Sequence, residues 1–181
     1  MASNNDPYID PQLVNEKTYR SLTLCRTILN NSQTPQATRV SCLARIVALL
    51  DALPSVRALD RQLRENSTAR ISSSESRLLL DRSTAYRDLA LAFRRSGDLC
   101  NSTYNYQRAT TLLQTLLKTI SVSEGSEICA DKNEMAASAL KTLAESLYDW
   151  ADIEHSLGRE TIAKRIQDRA VKLTKNSQSF D

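Results

Sequence analysis

The chain has one histidine, His155, beside Glu154 on a stretch with helical periodicity. A histidine acting as general base needs a nucleophile in reach and a third group to orient it. No spacing in the sequence supplies either, so His155 reads as a surface or groove residue. Asp149, Asp152 and Glu154 come nearest to a metal-ligand set. Asp149 and Asp152, three apart, share one side of a helix, but the Lys and Arg nearby make this a solvated acidic face. Four cysteines (Cys25, Cys42, Cys100 and Cys129) are widely spaced, and none forms the Cys-x-x-Cys pair that zinc sites favour. Three of them lie in apolar helical patterns, where a free thiol packs as a small hydrophobe. A Gly-rich phosphate loop is absent from a chain with three glycines. The residues therefore predict no catalytic centre, no metal and no cofactor, and the chain reads as non-enzymatic.

Charge is more informative in its distribution than in its sum. Lys and Arg number 24 and Asp and Glu 21, for a net +3, too little to require nucleic acid. From Arg39 to Arg108, however, there are twelve Arg and no Lys against seven acids. Guanidinium groups suit bidentate contacts to carboxylate or phosphate, although most of these twelve are expected on solvated helix faces. No apolar run approaches the roughly 18–20 residues that span a bilayer, and the first residues lack the basic-then-apolar order of a secretory signal. Free thiols and an intracellular setting, cytoplasmic or nuclear, are the expectation, with the Asn-x-Ser/Thr sequons at Asn30, Asn66 and Asn101 read as chance matches.

The elements that must position these residues are helices. Seven Gly and Pro positions in 181 residues cannot supply the turns of an all-β fold, and no segment alternates at period two. The spacing predicts an all-α single domain over residues 11–175, with loose tails at 1–10 and 176–181 and six or seven helices. A first helix is expected from about Pro11 to Asn30 and a second from about Gln36 to Leu53, with Thr34 as cap and Pro35 in the first turn. Pro54 opens a short third, with Val56, Leu59 and Leu63 on one face. Ser72-x-x-Glu75 reads as a capping box before a long helix to about Ser96, where Gly97 is the stop. The pattern resumes from Leu99 to about Ile120 and breaks over 121–130. It continues from a second possible box, Asp131-x-x-Glu134, to Leu157, stops at Gly158, and ends with Glu160 to Lys175. Leu112, Leu113, Leu116 and Leu117 are wider than one stripe, which points to burial on two sides.

Two blocks repeat around the glycines. Tyr86-x-x-Leu89-Ala90-x-x-Phe93-x-x-x-Gly97 leads to Ser102, Tyr106, Ala109 and Leu112; Leu147-x-x-Trp150-Ala151 leads through Gly158 to Ala163, Gln167, Ala170 and Leu173. Small residues at matching places let helices approach closely, a large side chain of one sitting over a small one of its neighbour. This pattern resembles the tetratricopeptide repeat over about a third of the chain, from Tyr86 to about Leu117 and from Leu147 to Thr174; the resemblance implies 74–120 as a first helix pair and 131–175 as a second, while 11–66 is similar only in being paired helices. The glycines stand 61 positions apart against a family period of about 34; the 121–130 loop and an extended helix before Leu147 absorb the difference. The fold class is thus antiparallel helix pairs, stacked as a short solenoid or closed as a bundle.

The resemblance implies an adaptor or scaffold that holds a peptide or helix of a partner protein in a groove lined by the first helix of each pair. The groove positions it implies are Thr84, Arg87, Leu91, Arg94 and Arg95 in the first block, and Glu145, Tyr148, Asp152, His155 and Ser156 in the second. Arg87, Arg94 and Arg95 would make a basic half, favouring an acidic segment, beside an acidic half. Leu91 and Asp152 stand where the family's carboxylate clamp uses Asn. Two other readings stay open: an RNA-binding or ribonucleoprotein-assembly protein using the Arg-rich 39–108 segment, and a three-helix module similar to the microtubule-interacting-and-transport domains of membrane traffic. Oligomerisation is open as well.

Overall fold

A computed structural model of the chain describes residues 16–66, 70–122 and 130–177. Among these residues there are seven helices and no strand: α1 (Glu16–Asn30), α2 (Gln36–Asp51), α3 (Pro54–Glu65), α4 (Ser73–Arg95), α5 (Leu99–Val122), α6 (Ala130–Ser156) and α7 (Glu160–Ser177). Neighbours pack in order: α1 on α2, α2 on α4, α4 on α5, α5 on α6 and α6 on α7. α4 also touches α6, so the first helices of the two long pairs lie beside each other. The architecture is all-helical, with helices packed in neighbouring pairs.

Local backbone chemistry sets several helix ends. At the start of α4 the Ser72 hydroxyl accepts from the Glu75 amide at 3.2 Å, and the Glu75 carboxylate accepts from the Ser72 amide at 2.7 Å. This reciprocal box satisfies two donors that a helix start otherwise leaves open. α4 and α6 end on glycines in the left-handed region, Gly97 at φ 81° and Gly158 at φ 73°. At both corners the residue after the glycine donates back five positions, Asp98 to Phe93 at 3.0 Å and Arg159 to Glu154 at 2.8 Å, and the glycine itself donates to Arg94 or His155. These are Schellman closures. A Cβ at either glycine would meet nothing within 4 Å, so backbone conformation alone selects glycine there.

Thr34 departs from expectation. Pro35 occupies the α2 cap position without a side-chain cap. The Thr34 hydroxyl instead donates to the Ile28 carbonyl at 2.6 Å, and Arg39 donates to the Asn31 carbonyl at 3.0 Å. The hydroxyl thus ties off the end of α1 rather than the start of α2. α6 begins at Ala130, so Asp131 lies inside its first turn rather than at the cap position expected of it; residues 1–15 and most of the 121–130 loop lie outside the described residues.

The small residues of the repeat are all interior. Ala90, Ser102, Ala109 and Ala170 are fully buried, and Ala151 and Ala163 nearly so. Ser102 on α5 donates to the Ala90 carbonyl on α4 at 2.7 Å, fixing two helices at a contact only small side chains allow. Leu113 and Leu116 of α5 are buried in the cluster that joins Leu79 of α4, Leu143 and Leu147 of α6 and Ile166 of α7. α5 is therefore covered from both sides, as its wide leucine stripe requires.

A buried charge cluster anchors α3. The Arg82 side chain on α4 is 2% exposed, an exception among arginines that are mostly exposed. Its guanidinium donates to Asp51 at the end of α2 at 2.9 and 3.1 Å, and to both oxygens of Asp60 on α3 at 2.9 and 3.2 Å. Burial opposes the Arg82 charge, but Asp60 and then Asp51 outweigh it and hold its pKa above the ordinary value. The Tyr86 hydroxyl donates to the second Asp51 oxygen. Burial first, then Asp51, pushes that hydroxyl up to about 12.

Candidate functional site

α4 and α6 are joined across their shared face by ion pairs. Arg87 meets Glu145 at 2.8 Å. Arg94 meets Asp149 at 3.3 Å and Asp152 at 3.5 Å. The Tyr106 hydroxyl, from α5 beneath, donates to the other Asp149 oxygen at 3.2 Å. Burial and the Asp149 charge raise the Tyr106 hydroxyl well above its usual range. Pairing of 87 with 145 and of 94 with 149 and 152 shows that α4 and α6 run in the same direction.

The ten residues expected on a partner-binding groove therefore have different situations. Arg87 and Arg94 carry charges already matched by α6, so the expected division into a basic half and an acidic half is corrected: each half neutralises the other. Leu91 is half-buried, Arg95 is exposed, and Tyr148 is 38% exposed. Asp152 keeps most of its surface in solvent although Arg94 approaches it. His155 is exposed and lies 2.8 Å from Glu160 of α7, across the Gly158 corner. Leu91, Arg95, Tyr148 and Asp152 keep surface on the α4–α6 face, and Thr84, His155 and Ser156 of the expected groove positions are exposed as well.

The acidic run on α6 is not the solvated face expected of it. Glu154 is 2% exposed and accepts from the Trp150 indole at 2.9 Å and from Arg159 at 3.3 Å. Asp149 is held by Arg94 and Tyr106. Only Asp152 of the three stays largely open. Sequence reasoning missed Asp149 and Tyr106 as members of the face, because their partners are 55 and 43 positions away. It also missed Asp88. That side chain is exposed, yet surrounding protein pushes its carboxyl above the ordinary range, with Arg87 and Arg95 opposing the shift.

Chemically the face offers paired charges, a tyrosine ring and an aliphatic side chain. Those groups suit recognition of another polypeptide. Among the described residues no group of three or more His, Cys, Asp and Glu is placed to hold a metal ion, and no helix is long and apolar enough to cross a membrane. Comparison with protein-family models, with curated proteins and with solved structures finds no match.

Proposed function

We propose that the protein is a non-enzymatic adaptor of tetratricopeptide-like architecture, which holds an extended or helical segment of a partner protein on the α4–α6 face. The observation that carries this reading is the side-by-side placement of α4 and α6 with Arg95, Tyr148 and Asp152 exposed and Leu91 half-buried. Two residues of such a face are the kinds that dominate binding energy elsewhere, an aromatic ring and an arginine. Because Arg87 and Arg94 are spent on α6, Arg95 is the cation available for an acidic residue of the segment, and Tyr148 supplies the apolar anchor. The Arg87–Glu145 and Arg94–Asp149 pairs then serve to fix the two helices at a constant separation, so that the face is preorganised.

Selection from a displayed peptide library against the full chain tests the proposal. The enriched sequences should carry an apolar residue flanked by Asp or Glu. Tyr148→Ala and Arg95→Glu should each weaken their binding by about tenfold, as measured by titration calorimetry. Peptides whose affinity is the same for both variants and for the unaltered chain would refute the assignment.

A further inference from the structure

We infer that the outer face of α3 is a second, separate docking surface, and that its partner is a helix bearing Asp or Glu at positions i, i+4 and i+7. α3 is amphipathic. Val56 and Leu59 are buried, and on the opposite side Arg57, Arg61 and Arg64 are exposed. Spacings of four and three residues put these guanidinium groups in one line, about 6 and 4.5 Å apart along the axis. Among the described residues none of the three has an ion-pair partner within 4.0 Å. Arg64 is steadied by a bond from its Nε to the Asp60 carbonyl at 3.2 Å.

Exposed Glu65, four residues after Arg61, is the one acid that α3 sets beside this row, and it leaves the row with a surplus of positive charge. Asp60 is turned inward onto Arg82. Glu75 is committed to the Ser72 box. Exposed Arg70 and Arg77 extend the positive surface, and Gln62 of α3 donates to the Arg70 carbonyl at 3.3 Å, which brings Arg70 alongside. The helix that carries the row is also rigidly held. Pro54 occupies its first turn, and the two-pronged Arg82–Asp60 contact fixes its middle. The held backbone fixes the spacing at which the three side chains leave the helix, and each guanidinium matches a carboxylate.

Charge complementarity points to an anionic partner, and composition points to protein. Residues 54–77 contain no aromatic side chain, so the stacking platforms that hold single-stranded nucleic acid are missing. A facing helix with acids at i, i+4 and i+7 reproduces the arginine spacing one for one. The surface is distinct from the α4–α6 face and does not depend on it.

The test uses the full chain and a displayed helical library in which three positions, i, i+4 and i+7, vary among Glu, Ala and Lys. Glu should be enriched at all three. Titration of the enriched peptide should weaken by at least about tenfold with Arg57→Gln combined with Arg61→Gln. It should change less than about twofold with Arg95→Glu, or with Arg165→Gln combined with Arg169→Gln on α7. Circular dichroism checks that each variant keeps its helices, and the neutral Gln changes lie at exposed positions. No enrichment of Glu, equal loss in the α7 control, or a twelve-residue oligouridylate that binds more tightly than the peptide and is lost with the α3 variant would overturn the inference.

Discussion

Removing the Arg82 guanidinium would leave Asp51 and Asp60 converging at the α2–α3–α4 junction with no counter-ion. Breaking a buried pair from one side costs about 3–5 kcal/mol. The two aspartates keep roughly a third of their surface in solvent, so Arg82→Met should lower the unfolding free energy by about 3 kcal/mol in urea titrations, and adding Asp60→Asn should return part of it. Tyr86 supplies a pH signature of the same cluster. Its hydroxyl sits at about 12 in the folded protein against an ordinary value of 10.0. Folding therefore favours the protonated form, and this contribution is complete below pH 10 and fades as pH rises toward 12. Tyr86→Phe should remove that part of the alkaline loss. An unchanged pH profile between 10 and 12 would show that the Tyr86–Asp51 bond contributes nothing.

At the scale of elements, corners and contacts give separable effects. Gly97→Ala meets no neighbour, so only the left-handed backbone is penalised, by about 1–2 kcal/mol, and the helices should otherwise keep their places. Ala109→Leu is different, because Ala109 is fully buried where α5 meets its neighbours. Overpacking there should cost about 1–3 kcal/mol or more, and thermal melts of the two variants would rank them. These same elements explain what the sequence could reveal. The Ser72-x-x-Glu75 box, both glycine corners and the small-residue places were legible because each is satisfied within a few residues or by a fixed period. Thr34 was misread because its hydroxyl had two local choices, the α2 start and the Ile28 carbonyl, and spacing does not rank them. The Arg82 cluster and the Arg94–Asp149 pair were illegible for another reason. Their partners stand 22 to 55 positions apart, and one arginine among twelve looks like any other until the helices are placed.

On the scale of the whole molecule, α4, α5 and α6 are one mechanical unit. Tyr106 from beneath and Arg94 from the side both converge on Asp149, while Arg87–Glu145 ties α4 to α6 at a second point. That unit presents a face with its charges largely matched, and the surplus arginines lie elsewhere, on α3. A matched face gains affinity from shape and from Tyr148 more than from charge, whereas the α3 row depends on charge and weakens with salt. Mapping amide chemical-shift changes over the full chain, as a peptide selected against it is added, tests the central claim most directly. The account predicts that the largest changes fall at Leu91, Arg95, Tyr148 and Asp152, with α7 unmoved. Changes concentrated on the outer sides of α5 and α7, leaving those four residues untouched, would contradict it.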